Sequence, residues 1–160
     1  MLRTLAAKAA ILAWGAMLPA LAGAAEGLVH ARDFQSDART AARRGVPILV
    51  VFTSPTCHYC DRVKREYLIP MHKDPAYEKR VIIREVTVDA ATPITGFDGK
   101  RTTEAAFAAS HKVLMVPTVK VLDAAGREAS EAIVGMLTPD YYFGYLEAAI
   151  DEGLSKMRRK

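Results

Sequence analysis

Residues 48–60, ILVVFTSPTCHYC, decide the fold. The run 47–53 is almost entirely apolar, is too short for a helix and is rich in β-branched residues, which predicts a buried central strand. The turn-forming residues 54–56 end this strand, and from Cys57 onward the apolar residues have helical spacing. The stretch therefore predicts a strand, a short loop and a helix that begins at a C-x-x-C motif. We expect Pro70 to end or kink this helix.

The rest of the chain alternates between helix and strand patterns. The predicted elements are a helix from an Asp33 cap to about Arg44, a short helix or connector at 74–80, a strand at 81–88, a loop or small excursion at 90–101, a helix from a Thr102 or Thr103 cap to about Ser110, a hairpin of strands 119–122 and 128–134, and a helix from Thr138 and Pro139 whose basic tail, 156–160, frays. This order predicts an α/β fold in which helices flank a central mixed β-sheet.

Residues 1–25 have the pattern of a secretory signal peptide, with basic Arg3 and Lys8, an uncharged run at 9–25 and the small-residue cleavage site Ala22-Gly23-Ala24. The uncharged run is shorter than the roughly 20 residues of a membrane span, which favours a cleaved signal over an anchor. We therefore expect a periplasmic or secreted protein whose residues 26–160 form one domain. Without Arg3 and Lys8, 20 basic residues face 18 acidic ones, a balance too even for nucleic-acid binding.

The two cysteines, Cys57 and Cys60, are too few for a disulfide scaffold but suffice for a redox-active pair. At the start of a helix, free N–H groups and the helix dipole stabilise a thiolate. Cys57 is thus the predicted nucleophile, and Cys60, about one turn later, the predicted resolving thiol. Protonated His58 would further stabilise the thiolate, and Tyr59 would close one side of the site or contact substrate.

Other uses of a cysteine pair fit the sequence less well. A zinc site needs four ligands, and after His72 no histidine follows until His111. A structural disulfide would close too small a loop to add much stability, and haem attachment needs a histidine where Asp61 stands. A non-catalytic module that binds a thiol or a soft metal such as Cu(I) remains an alternative.

With these residues in place, the chain resembles the thioredoxin-like superfamily. The resemblance is carried by the strands 48–53 and 81–89, the motif 57–60, Val116-Pro117-Thr118 and Gly135. It is most similar to the periplasmic branch that contains SoxW-type thioredoxins and DsbC-type isomerases. Proteins of that branch carry an inserted segment that residues 94–100 resemble, which implies an inserted segment around 90–101 in this chain. The resemblance implies a monomeric thiol–disulfide oxidoreductase without a bound cofactor. Its expected partners are protein disulfide or thiol substrates and a membrane or periplasmic thiol electron donor, with no nucleic acid.

The resemblance also implies roles for residues outside the motif. Pro117 is expected to be cis beside the cysteines, with the backbone of Val116 pairing with an extended substrate strand. Many thioredoxins carry a buried acid six residues before the first cysteine, where this chain has Val51. Glu85 on the neighbouring strand is the nearest substitute. Strand alternation also allows Glu85 to face solvent, and we expect the solvent-facing position. The resemblance favours a reductase, with oxidase and isomerase activity as alternatives for the same site. The remaining histidines of the mature chain lack a partner motif and are expected to be surface residues: His30, His72 and His111.

Overall fold

A computed structural model describes residues 27–136 and 138–159. The predicted signal peptide lies outside the described residues. The helices and strands are, in chain order, α1 (Phe34–Arg44), β1 (Ile48–Thr53), α2 (His58–Val63), a π-helical turn (Lys64–Leu68), α3 (Ile69–Lys73), α4 (Pro75–Glu78), β2 (Ile82–Thr87), β3 (Pro93–Thr95), β4 (Arg101–Thr103), α5 (Glu104–Ser110), β5 (Thr118–Leu122), β6 (Ile133–Val134) and α6 (Pro139–Arg158). None of the described helices combines the length and apolar character needed to cross a membrane.

The central sheet has four strands in the order β2-β1-β5-β6. β1 is parallel to β2 and antiparallel to β5, and β6 is antiparallel to β5. Every residue of β1 is buried, as expected for a central strand between two partners. Helices flank this sheet, which confirms the predicted α/β fold with a mixed sheet.

Helix α1 begins and ends at the predicted residues. The Asp33 side chain accepts a hydrogen bond from the backbone N–H of Ser36, which satisfies one free donor of the first turn. Gly45 ends the helix with φ of 64°, a left-handed conformation that glycine adopts without strain. Phe34 and Ala41 face the core as predicted, whereas Ala42 is exposed.

The helix that starts after Cys57 does not end at Pro70. A π-helical turn, Lys64–Leu68, precedes the proline, and the N–H of Ile69 donates to the carbonyl of Lys64, five residues back. Pro70 therefore stands in the first turn of α3, where its missing N–H is tolerated, and the helical path continues to Lys73.

The hairpin after β5 is shorter than predicted, because β6 comprises only Ile133–Val134. The hairpin starts in register, since Ala129 donates its N–H to the carbonyl of Val121. The next pair joins Val119 to Ile133. From the first pair to the second, β5 therefore advances by two residues, 121 to 119, while the other strand advances by four, 129 to 133. This bulge removes 130–132 from the ladder.

Two segments predicted to be irregular are ordered. The excursion at 90–101 contains half of a hairpin in which β3 pairs with β4, and it places Phe97 on the ring of Phe34 with centroids 5.0 Å apart. The C-terminal helix continues to Arg158 rather than fraying from Lys156, and Lys156 pairs with Glu152 one turn earlier, at 2.9 Å.

The segment before α1 extends the sheet at its β2 edge. Ala31 donates its N–H to the carbonyl of Glu85, and the N–H of Glu85 donates to the carbonyl of Val29. His30 thus lies opposite Glu85 in a parallel bridge. This pairing was not predicted, and it holds an exposed histidine side chain beside β2.

Candidate functional site: the cysteine pair and a buried acid

The cysteine pair lies where β1 passes into the following helix. Cys57 is the N-cap of α2, and its Sγ accepts a hydrogen bond of 3.1 Å from the backbone N–H of Cys60. The two cysteines form a disulfide with their Cα atoms 5.2 Å apart, a usual separation. After reduction the same N–H would face the Cys57 thiolate, so the local backbone supports a negative charge on this sulfur.

The two cysteines differ in exposure. Cys57 is half-buried at the helix terminus, whereas Cys60 is completely buried in the first turn. A sulfur atom of another molecule can therefore approach Cys57 but not Cys60. The division between a nucleophilic Cys57 and a resolving Cys60 stays a prediction, and it requires such a difference in access.

His58 and Tyr59, between the cysteines, are both exposed. Their rings meet edge to face with centroids 6.1 Å apart, and Tyr59 is 56% exposed. Within the described chain, neither ring forms a hydrogen bond with a sulfur. The structure thus places both side chains on the outer surface of the site, where they can meet a bound molecule.

The loop that ends at Pro117 lies at the same end of the sheet. The Val116–Pro117 peptide bond is cis, and β5 begins directly after it. Because Thr118 pairs with Phe52 near the end of β1, antiparallel pairing brings this loop to the edge from which the cysteine loop departs. The backbone of Val116 has no backbone hydrogen-bond partner among the described residues. Leu114 and Met115, just before it, are 97% and 59% exposed.

Glu85 is buried, contrary to the expected solvent-facing position. It is only 5% exposed and lies opposite Val51, so its side chain occupies the same face of the sheet as Val51. The Thr53 hydroxyl donates to Glu85 Oε1 at 2.8 Å, and Lys64 Nζ lies 3.0 Å from the same oxygen. The strand turns this carboxylate inward because these two polar partners compensate its burial.

Lys64 links Glu85 to the resolving cysteine. It stands four residues after Cys60, and its backbone N–H donates to the carbonyl of Cys60. Its ammonium group also lies 3.6 Å from Asp61. Lys64 was not among the predicted site residues, although its i+4 spacing from Cys60 places both residues on one face of the helix.

Two further groups reach the same buried region. Glu104, the first residue of α5, is 2% exposed, and His30 lies 3.7 Å from Glu85 and 3.7 Å from Glu104. Burial raises the pKa of Glu104, while His30 and the Thr87 backbone oppose that rise. No local pattern marks this arrangement, because its members come from distant parts of the chain. Among the described residues, no group of three histidine, cysteine or acidic side chains is placed to hold a metal ion.

The model of the thioredoxin-like domain family matches residues 34–150. The chain belongs to the thioredoxin-like family. With its C-x-x-C pair joined at the start of a helix, this thioredoxin-like protein is a thiol–disulfide oxidoreductase. None of the curated proteins compared with the chain matches it.

Solved thioredoxin structures agree with the family assignment. Thioredoxin NaTrxh from Nicotiana alata has a TM-score of 0.51 at 18% identity, covering 82% of this chain and 98% of that one. Mitochondrial thioredoxin 3 from Saccharomyces cerevisiae, in its oxidised form, has a TM-score of 0.51 at 16% identity, covering 78% and 94%. Trxlp from Edwardsiella tarda has a TM-score of 0.50 at 22% identity, covering 69% and 91%. At such identities the likeness concerns the fold.

Proposed function

We propose that this oxidoreductase is exported and that it reduces disulfide bonds in proteins through Cys57 and Cys60. The observation that carries the proposal is the difference in exposure between the two cysteines at a helix N-terminus. An accessible thiolate can start disulfide exchange with a large substrate. A buried thiol one turn away can only complete it.

The exchange proceeds in two steps. The Cys57 thiolate attacks one sulfur of the substrate disulfide, forming a Cys57–substrate bond while the other substrate sulfur leaves as a thiolate with the bonding electron pair. Cys60 then loses its proton and attacks Cys57 Sγ, which forms the Cys57–Cys60 disulfide and releases the second substrate thiolate. Two electrons thus pass to the substrate, and solvent supplies the two protons that its thiolates take up. Protonated His58 stabilises the Cys57 thiolate before the attack.

The substrate lies as an extended strand along Val116 and Pro117. The backbone N–H and carbonyl of Val116, which have no backbone partner in residues 27–136 and 138–159, support this role, because an unpaired backbone edge can pair with an extended peptide. Exposed Leu114 and Met115 directly precede Val116, and exposed Tyr59 lies in the cysteine loop at the same end of the sheet, so all three offer apolar surface that a protein substrate would cover.

Glu85 accepts the proton that Cys60 releases in the second step. Its burial, its place opposite Val51 and its contact with Lys64, whose N–H binds the Cys60 carbonyl, all support this role. A positioned carboxylate can act as a general base for such a proton. Glu85 thereby promotes release of the substrate without touching it.

The site of action follows from the sequence. A signal peptide at 1–25 directs the chain out of the cytoplasm, and 26–160 form one domain in which the segment around 90–101 is an insertion. The protein acts as a monomer, and a periplasmic or membrane thiol protein returns it to the dithiol form. No bound cofactor takes part, since the cysteines themselves carry the electrons.

The test is to trap the first intermediate. Cys60→Ser should accumulate mixed disulfides between Cys57 and substrate proteins, seen as reducible bands on non-reducing gels, and Cys57→Ser should give none. The unmodified protein should also reduce insulin with dithiothreitol as electron source. The proposal is wrong if Cys60→Ser traps no protein and the unmodified protein leaves insulin intact.

The equilibrium redox potential of the pair tests the direction of electron flow. A value near about −270 mV supports a reductase, whereas a value near about −120 mV would identify an oxidant and overturn the proposed direction. It is measured by equilibrating the protein in glutathione buffers and alkylating the free thiols.

A further inference from the structure

Two buried carboxylates share one exposed histidine. The side chains of Glu85 and Glu104 are 6% and 3% exposed, while that of His30 is 56% exposed. The Nε2 atom of His30 lies 3.7 Å from Glu85 Oε2, and its Nδ1 atom lies 3.7 Å from Glu104 Oε1. The imidazole thus spans the two carboxylates with one ring nitrogen toward each, and a small side-chain movement would bring either contact to hydrogen-bond distance.

The group formed by Glu85, Glu104, Lys64 and His30 contains two buried carboxylates and one lysine ammonium. The ammonium of Lys64 places one positive charge beside Glu85. Lys64 also contacts Asp61, which is exposed and acidic. Glu104 Oε1 is buried and accepts no hydrogen bond within the described chain, so an ionised Glu104 has His30 as its nearest cation. Since an unpaired buried charge is unfavourable, a positive charge on the imidazole would have a partner in each carboxylate.

The backbone holds His30 in this position. Hydrogen bonds of 2.9 Å and 3.0 Å on either side of it tie its segment to the two sides of Glu85. The imidazole therefore stays beside the carboxylates with more than half of its side-chain surface open to solvent. Imidazole is the side chain best suited to exchange protons near neutral pH.

We infer that His30 is the proton exit of the active site, connecting Glu85 to solvent while Glu104 stabilises the transient imidazolium. The inference depends on the proposed role of Glu85 in the second exchange step. When Glu85 has received the Cys60 proton, His30 Nε2 takes that proton and His30 releases the proton on Nδ1 to water. Glu85 is then ionised again, the imidazole is neutral, and no electrons move. During uptake of electrons from a thiol donor, the same proton path runs in reverse. His30 is a positioning and relay residue, since it does not contact either sulfur.

The test separates the two exchange steps. The reduced protein is mixed with oxidised glutathione, samples are quenched with acid and alkylated, and mass spectrometry follows the Cys57–glutathione intermediate as it forms and resolves. For His30→Gln, which retains polarity but cannot carry a proton, we expect unchanged formation of the intermediate. Its resolution should slow by about tenfold, below the roughly 10²–10⁴-fold of direct acid–base catalysis, because protons still leave by slower routes.

Two measurements distinguish proton relay from a structural effect. Added imidazole should restore resolution in His30→Ala, and His72→Gln, which changes another exposed histidine, should behave like the unmodified protein. The inference is overturned if His30→Gln resolves at the unmodified rate, or if slow resolution in His30→Ala does not respond to imidazole. The proposed function fails differently, since in that case the unmodified protein forms no mixed disulfide at all.

Discussion

The cysteine pair and the acid cluster, defined as Glu85, Glu104, Lys64 and His30, are assembled in opposite ways. The cysteines stand three residues apart on one helical turn, so a short stretch of chain determines their geometry. The acid cluster draws one residue each from the N-terminal segment, the helical stretch after Cys60, β2 and α5. Its geometry therefore exists only when the whole domain has folded.

This difference separates chemistry from stability. The cysteine pair closes a very small loop, and one of its members lies partly in solvent, so it carries electron transfer while adding little to folding. The acid cluster combines two buried carboxylates with the lysine and histidine that face them, so its geometry depends on the integrity of the fold. Variants in the two regions should consequently differ in which property they change.

Glu85→Gln should produce the largest kinetic effect among the acid-cluster variants. The amide retains an oxygen for Thr53 and Lys64 but cannot accept the Cys60 proton. Resolution of the Cys57–glutathione intermediate should slow by about 10²-fold, and formation of the intermediate should remain unchanged. Quench-flow alkylation measures both steps, and equal resolution rates in the variant and the unmodified protein would show that Glu85 acts only in structure.

Variants in the two regions should also differ in how much they lower the free energy of unfolding. Glu85→Ala leaves the ammonium of Lys64 and the hydroxyl of Thr53 without their partner, and should lower the free energy of unfolding by about 2 kcal/mol, less than a fully buried pair because Lys64 is partly exposed. Cys57→Ser, compared with the reduced unmodified protein, should change it by less than about 0.5 kcal/mol. Urea denaturation followed by circular dichroism measures both. An equal loss for the two variants would contradict the separation.

The same contrast explains what the sequence could predict. The apolar run of β1, the Asp33 cap and the turn at Gly45 are local signals, and each element formed where its pattern indicated. The burial of Glu85 was not predictable from strand alternation, because it depends on Lys64 and on the N-terminal segment that covers the edge of β2.

The strand predicted at 128–134 failed for a related reason. Its composition allows continuous pairing, but the bulge at 130–132 depends on how the neighbouring residues pack, and Ala129 and Ser130 are buried in succession instead of alternating. The π-helical turn before Pro70 carries the helical path past the proline that the pattern marked as its end. Sequence patterns thus located the cysteine pair, and the fold assembled the acid cluster from distant parts of the chain.

Glu104→Gln should have the smallest effect and a distinctive pH dependence. Because burial raises the pKa of Glu104 in the folded protein, folding favours its protonated form. This contribution to stability is complete below the pKa of the unfolded chain, near 4.5, and is lost as the pH rises through the folded pKa. The variant, neutral at every pH, should therefore be more stable than the unmodified protein at pH 7 but not at pH 4, as measured by urea denaturation at both values.

Glu66→Gln provides a control of opposite sign. The exposed Glu66 has a lowered pKa because Arg62 donates to it, so its contribution to stability exists above the unfolded pKa and is lost as the pH falls. Removing its charge should slightly lower stability at pH 7 and have no effect at strongly acidic pH. If both variants shift stability in the same direction at pH 7, the change reflects loss of a carboxylate in general, and the special burial of Glu104 beside His30 is not its cause.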